Sequence, residues 1–443
     1  MVVKDLRDYL QLLEDNDWLD VVRTPVPLLE ISARMKEQEK KGRTVLFENI
    51  EGYDYPLVNN LFGRREFLAR LLGCRVEEMA RVFGERSKGR IKPVLVTRGP
   101  VQQVVLRQGE FDIRKLPFIV HSAKDAGRFI TAGMVIAKDP DTGVRNLSFN
   151  RMQLKGPDKT GFRMSPTQDL ESYYQRSVKK GRPLEIAVSI GNHPLDLLAA
   201  ACGPARDVDE LDIAGSLRGE PVPMVKCVSV DLEVPAYAEV VLEGYIGLNE
   251  LEEEGPFGDF MEFYIPRMQN HVFHVTAVIM RERPILQAIS AGSKDDVTLL
   301  GTPREAQLYE RFHAMNIDVR GINLAICNNY LTGAVSIRKH LENEPVNVLM
   351  AAFGEFKFLK NFLVVDHDVD VYDPKDLFWA LSTRLRAEKG VMTIPHAVGF
   401  GRDSYGIHST KLGIDATAPL DHWDEFERIT APGADRVCGK EEG

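Results

Sequence analysis

Residues 4–15 place Leu6, Tyr9, Leu10 and Leu13 on one helical face, so the chain is expected to open with an amphipathic helix. "TVLFENI" (44–50) predicts a strand, and "RREFLARLLG" and "VEEMARVFGERSKG" predict two short helices, each ending near a glycine. Beyond residue 105 the pattern becomes β-rich. "FITAGMVIA" (129–137) and "GVRNLSFNRMQL" (143–154) flank "KDPDTG", a hairpin turn by composition. Further strands are expected in "LEIAVSIG", "MVKCVSVDLEV", "EVVLEGYI" (239–246), "VFHVTAVIM" and "PILQAIS" (284–290), with helices near 169–180, 193–202 and 208–218. So many strands separated by turns point to a closed or split barrel rather than a parallel sheet. From about 302 the alternation of "PREAQLYERFHAM", "GINLAICN", "NVLMAAF", "NFLVVD" and "PKDLFWALSTRLRA" is that of α/β units.

Composition narrows the class. A chain of 443 residues, 44% apolar and 27% charged, is long enough for two or three globular domains. A net charge of −9 excludes a general nucleic-acid binder. Five scattered cysteines without a CxxC pair read as reduced thiols. The N-terminus "MVVKDLRDYL" carries charges where a signal peptide needs an apolar core, and no apolar run approaches a membrane span. These features together predict a soluble cytoplasmic protein with no membrane partner.

Four stretches carry candidate chemistry. "EEEGPFGDFMEFYIP" (252–266) sets Glu254 and Asp259 across a Gly-Pro-Phe-Gly turn beside Phe257 and Phe260. Apolar surroundings raise a carboxyl pKa and divide roles within a pair, so this is material for acid/base work; a solvated acidic turn anchored by Phe257 reads the same way. "NLSFNRMQLKGPDKTGFRMSPTQD" (146–169) interleaves amides, a hydroxyl and arginines, with Asn146, Ser148 and Asn150 on one face of a strand. That face suits a phosphate, a polar ring or a hard cation, and equally an ordinary solvated sheet surface. "DELDIAGSLRGEPVPMVKC" (209–227) puts Glu210 in a helix, and "HSTKLGIDATAP" (408–419) puts Lys411 in a Gly-rich loop.

In this order and spacing, "NLSFNR", "DELDIAGSLRGEPVPMVKC", "EGPFGDF" and "TKLGIDAT" resemble the UbiD family of decarboxylases from the first helix to about residue 419. The resemblance implies an α+β multidomain subunit. Residues 1–105 would form an N-terminal α/β domain, 106–301 a central split β-barrel like that of flavin reductases, and 302–443 a C-terminal α/β domain with oligomer contacts. It implies prenylated FMN, its phosphate held through a divalent metal, usually Mn²⁺, with K⁺ or Na⁺ nearby. It implies reversible decarboxylation of an aromatic, heteroaromatic or α,β-unsaturated acid with CO₂ as co-product. A flavin prenyltransferase would supply the cofactor, and the chain would assemble as a homodimer or homohexamer.

Residue by residue, Asn146 and Glu210 match the family's metal ligands, and Asp169 the third position, where some relatives carry His. Phe149, Asn150 and Arg151 match the strand lining the flavin, Arg163, Met164, Ser165 and Gln168 the segment after it, and Lys411 the lysine approaching the phosphate. Arg151, Glu254 and Asp259 match the catalytic group, with Arg151 holding the substrate carboxylate and the coupled pair Glu254 and Asp259 sharing the acid role, Asp259 the expected proton donor and Glu254 the alternative. The stretches 290–305 and 386–408 would close the pocket. There Lys294 and Arg304 either hold a second acidic group of the substrate or pair with Asp295, Asp296 or Glu305. The expected substrate is an aromatic or heteroaromatic acid, dicarboxylic furan- or pyrrole-type acids included. The alternatives are a non-aromatic unsaturated acid carrying a phosphate, such as an isoprenoid precursor, and a non-catalytic subunit of a multi-component carboxylase.

Overall fold

The opening helix forms as its pattern requires. Leu6–Asp15 is capped by the Asp5 carboxylate, which accepts from the backbone N–H of Arg7 and Asp8, and it buries Leu6, Tyr9, Leu10 and Leu13. The computed structural model describes residues 3–166, 168–327, 329–400 and 408–432. It divides into one unit of Met1–Gln307 with Cys327–Tyr330, and a second of Leu308–Ile326 with Leu331–Gly443.

The first unit contains a four-stranded sheet in the order Leu19–Val22, Thr44–Phe47, Leu57–Asn59, Leu286–Ala288. Its last strand comes from "PILQAIS", which the linear pattern groups with the barrel strands; instead it pairs in parallel with Leu57–Asn59. Three consecutive buried residues carry no alternation, so nothing in that stretch names the sheet it joins.

The same unit holds the large curled sheet of nine antiparallel strands that forms the split barrel. Its path runs Phe129–Ile130, Met152–Leu154, Lys159–Phe162, Met268–Met280, Val240–Glu254, Leu184–Ile190, Met134–Lys138, Arg145–Phe149, with Val104–Arg107 beside Met268–Met280. Asp139, Pro140, Asp141 and Gly143 make the hairpin turn expected between the strands on either side. The strand expected at 239–246 is longer than its apolar run. It continues past an irregularity between Ile246 and Leu251 to end at Glu254, opposite Met268. Charged Glu250, Glu252 and Glu253 hide that extension from a hydrophobicity pattern. "MVKCVSVDLEV" is not one strand but a hairpin of Pro223–Lys226 and Glu233–Pro235.

The second unit is built on a five-stranded sheet in the order Asp318–Asn323, Thr332–Arg338, Asn361–Asp366, His408–Ala416, Val391–Val398. Lys411 therefore lies in a strand, not in a loop: "HSTKLGIDA" pairs in parallel with Asn361–Asp366 despite its glycine. Among the described residues, no helix is long and apolar enough to cross a membrane.

Candidate active site

The strand Arg145–Phe149 and the helix Glu210–Arg218 bring the first pair of expected residues together. Asp209 caps the helix by accepting from Leu211 N–H, which sets Glu210 in its first turn and buries it at 2% exposure. Glu210 Oε2 accepts from the backbone N–H of Leu147 at 2.9 Å, and Oε1 from Asn146 Nδ2 at 3.1 Å. Burial lifts its carboxyl to about 8. Asn146 Oδ1 is buried with no hydrogen-bond partner. Asp169 begins the helix Asp169–Lys179 and pairs with Arg206 at 2.8 Å. Tyr173 is pushed up to about 12, mainly by burial and then by the charges of Asp139, Glu210 and Asp169.

The second group joins the end of that strand to the segment after Lys159–Phe162. Asn150 Nδ2 donates to Arg163 O at 2.8 Å and to Gln168 Oε1 at 3.1 Å, and Gln168 Oε1 also accepts from Ser165 N–H. Ser148 Oγ donates to Asn150 Oδ1 at 2.8 Å, which confirms the shared polar face. Met164 is buried and Phe149 packs at the margin of the core. Burial, and then the charge of Arg151, hold Arg163 below the usual arginine range.

The third group is the acidic turn. Arg151 Nε donates to Glu254 Oε1 at 2.7 Å, with the two side chains 11% and 0% exposed. Its guanidinium lies over the Phe257 ring at 4.9 Å, and its Nη2 is buried without a partner. Glu254 Oε2 accepts from Asn270 Nδ2, and Asn270 Oδ1 accepts from Arg163 Nη1 at 3.3 Å. The turn itself is pinned from below: Gly255 N–H donates to Gln153 Oε1 at 3.0 Å and Gly258 N–H to Asp125 Oδ1 at 2.8 Å. Asp259, partly buried, accepts the N–H of Phe260 and lines a cavity of about 660 Å³ with His121, Ser122, Gly258, Ser290 and Gly292. Phe260 stacks on Tyr330 at 4.8 Å, and Phe257 packs on Phe129 at 4.6 Å, so aromatic rings flank Asp259.

Lys294 lines this cavity with Glu39, whose Oε1 accepts from the Lys294 backbone N–H at 2.9 Å, while the Lys294 ammonium makes no ion pair among the described residues. The acids that sequence reasoning offered it are held elsewhere: Glu305 by Arg65, Asp295 by the N–H groups of Asn60 and Phe62, and Asp296 by that of Gly292. Arg304 donates to Gln307 at 2.8 Å. Lys411 is buried in the second unit, its ammonium donating to the carbonyls of Lys357 and Leu359 at 2.6 Å each. Of the stretch 386–408, residues 401–407 lie outside those described.

Sequence reasoning missed Asn270, Asp125 and His121. Asn270 had a signal, since it shares a strand face with fully buried Val272, a polar residue in a core position. Asp125 and His121 lie in a loop between short strands, where no periodicity applies.

Fully buried Glu254, held by Arg151, and partly buried Asp259, which lines the cavity, thus stand on the two sides of one turn. The UbiD family, described as 3-octaprenyl-4-hydroxybenzoate carboxy-lyase, matches this chain in three parts. Its N-terminal domain covers residues 10–87, its Rift-related domain 93–294 and its C-terminal domain 297–416. The chain belongs to the UbiD family of carboxy-lyases. A curated relative, the anhydromevalonate phosphate decarboxylase of Methanothermobacter thermautotrophicus, is 34% identical over 396 residues, 87% of this chain and 91% of that protein. The structure of the UbiD-class enzyme HmfF from Pelotomaculum thermopropionicum in complex with FMN matches with a TM-score of 0.93. It is 38% identical and the match covers 99% of this chain and 100% of that one. An evolved dimeric form of the same enzyme, in complex with prFMN, matches with a TM-score of 0.89 at 37% identity over 98% of each chain.

Proposed function

We propose that this protein is a prenylated-FMN-dependent decarboxylase of an aromatic or heteroaromatic acid that carries a second anionic group. The observation that carries the reading is the buried Arg151–Glu254 pair, joined through the Gly-Pro-Phe-Gly turn to Asp259, which lines a cavity. When bound, prenylated FMN supplies the electron sink that decarboxylation requires. The chain supplies the rest. Arg151 keeps one face for Glu254, and its unpartnered Nη2 suits a carboxylate oxygen of the substrate. Glu254 already accepts at both oxygens, so it serves as a fixed negative charge that orients Arg151. Asp259 lines the cavity with Glu39 and Glu262, and of these it is the one that faces Glu254 across the Gly-Pro-Phe-Gly turn, so it is assigned the proton delivered where CO₂ departs. Phe257 on Phe129 and Phe260 on Tyr330 pack on either side of Asp259 and exclude water from its turn. Lys294 suits the second anionic group.

Asn146 and Glu210 fit a hard divalent cation such as Mn²⁺ beside the flavin phosphate. Turning the Asn146 amide over sets Oδ1 against the Glu210 carboxylate, an arrangement that only a cation between them makes favourable. Asp169, committed to Arg206, is the weaker third donor. Asn150, Arg163, Ser165 and Gln168 form the rigid edge on which the flavin would rest.

A second reading, a phosphorylated non-aromatic acid, is favoured by one observation: a curated relative is an anhydromevalonate phosphate decarboxylase. Lys294 serves a phosphate as well as a carboxylate. The test is CO₂ release from a panel of aromatic, heteroaromatic dicarboxylic and phosphorylated unsaturated acids. The protein is co-expressed with a flavin prenyltransferase and assayed beside Asp259→Asn. Release from a planar acid, lost in the variant, establishes the first reading; release from only the phosphorylated acids establishes the second. A flavin-loaded protein inactive on every acid sinks both.

A further inference from the structure

Asn270 is a neutral amide placed between two charges of opposite sign in a nearly dry part of the barrel. It stands at 4% exposure on the strand Met268–Met280, cross-strand from Glu252 and diagonal to Glu254. Its Nδ2 donates to Glu254 Oε2 and its Oδ1 accepts from Arg163 Nη1. Both neighbours dictate the same orientation of the amide: the guanidinium has no acceptor to offer and the carboxylate no donor. Arg151, Glu254, Asn270 and Arg163 thus form one hydrogen-bonded row with alternating donors and acceptors.

We propose that Asn270 is a positioning residue for the decarboxylation: its amide holds Glu254 as an anion against Arg151 and so leaves Asp259 as the acid of the pair. The inference rests on the roles given above to Arg151, Glu254 and Asp259. The groups facing Glu254 are known from every element around it. Arg151 follows the strand Arg145–Phe149, and Arg163 follows Lys159–Phe162; both are cationic. Lys155, on the adjoining hairpin, donates to Glu253 O. Glu252 on the same strand is paired with Lys159 at 2.7 Å. Asp259 lies across the turn, and Asp125 beneath it also acts on Arg151. Two cations touch this row, one on each side of the Glu254–Asn270 bond. A neutral residue at 270 lets a single carboxylate sit between them; a second carboxylate there would face Glu254 and compete for the same proton.

Asn270→Asp is the near-isosteric test. Two carboxyls across one hydrogen bond share a proton at neutral pH, so the acid limb of the kcat profile is expected to rise by about one pH unit or more. Asn270→Ala removes the donor to Glu254 together with the acceptor for Arg163 but adds no second carboxyl, and the limb is expected to move in the same direction by less. Infrared difference spectra of the purified full-length chain, variant minus wild type, provide a readout independent of turnover. Asn270→Asp is expected to gain a protonated-carboxyl band at neutral pH that Asn270→Asp/Glu254→Gln lacks. The inference is overturned if the band does not appear or survives unchanged in the double variant. It is also overturned if both single variants keep the wild-type acid limb on an accepted substrate. A wild-type protein that decarboxylates nothing defeats the functional reading instead, while the infrared result still decides whether Asn270 sets the charge of Glu254.

Discussion

Arg151, in the link between Arg145–Phe149 and Met152–Leu154, and Glu254, at the end of a distant strand, meet at 2.7 Å with the carboxylate fully buried. Removing one partner of such a pair strands the other charge, at a cost of about 3 kcal/mol or more. Arg151→Ala is therefore expected to lower the unfolding midpoint clearly. Arg151→Lys retains a charge near Glu254 but loses the planar fork proposed to hold the substrate carboxylate. Its expected signature is a fall in kcat/KM of about 100-fold, from the loss of a bidentate carboxylate contact, with a smaller change in Tm. A Lys variant that matches wild type in steady-state kinetics would remove Arg151 from the site.

How much of this was legible in the sequence differs by element. Short-range order was: the Leu6–Asp15 helix, the hairpin at Asp139 and the helix behind Glu210 follow from periodicity, turn chemistry and a capping Asp. The meeting of Arg151 with Glu254 was not, because it depends on a strand continuing through charged residues to Glu254. Only the order of the four motifs joined those residues before the structure did. Asn270 and Asp125 act through single hydrogen bonds at long sequence separation, and such contacts leave no periodic trace. Leu286–Ala288 failed for a different reason: all three residues are buried, polar Gln287 included, so the stretch fits the interior of either sheet.

Gly292 is the backbone position on which the roof of the cavity depends. Its φ is +73°, and a Cβ there would lie 2.7 Å from the carbonyl oxygen of Phe260. Backbone cannot yield as a flexible side chain does, so Gly292→Ala is expected to displace Phe260 from Tyr330. Gly109, with φ of +89° and open space around it, serves as the control. Gly109→Ala carries only the left-handed strain of about 1 kcal/mol, whereas Gly292→Ala is expected to cost roughly 2–3 kcal/mol and to lower kcat. Equal midpoints in thermal unfolding of the two variants would count against this view of the roof.

The proposed cation site can be read without turnover. Glu210→Gln and Asn146→Ala are each expected to weaken Mn²⁺ retention by about tenfold or more, as losing a ligand or its close support does. Bound flavin should fall in parallel if the phosphate is held through the metal. Asp169→Asn separates a ligand from a bystander: a loss as large as that of Glu210→Gln makes it the third ligand. Retention near wild type leaves it as the partner of Arg206. Elemental analysis and the flavin absorbance of protein loaded with Mn²⁺ measure both quantities. Unchanged metal content in Glu210→Gln would dismiss the site.

His121 supplies a pH dependence with a definite sign. Burial lowers its imidazole from 6.5 to about 4, and its Nε2 lies 3.3 Å from Thr131 Oγ1. The folded protein thus keeps the ring neutral while the unfolded chain protonates it near the ordinary value. Its contribution is full above the unfolded value and is lost as pH falls from about 6.5 through about 4. The whole excursion is worth about 3 kcal/mol at most. Buried carboxyls such as Asp295, lifted to about 7, act in the opposite direction, and His193, lowered to about 3, acts in the same one. Only the difference between wild type and His121→Gln therefore isolates the group. Denaturant unfolding at a series of pH values is expected to show the variant gaining on wild type steadily below about pH 6.5. A stability difference constant from pH 7.5 to about pH 4.5 would mean that the folded protein accommodates a charged ring at 121.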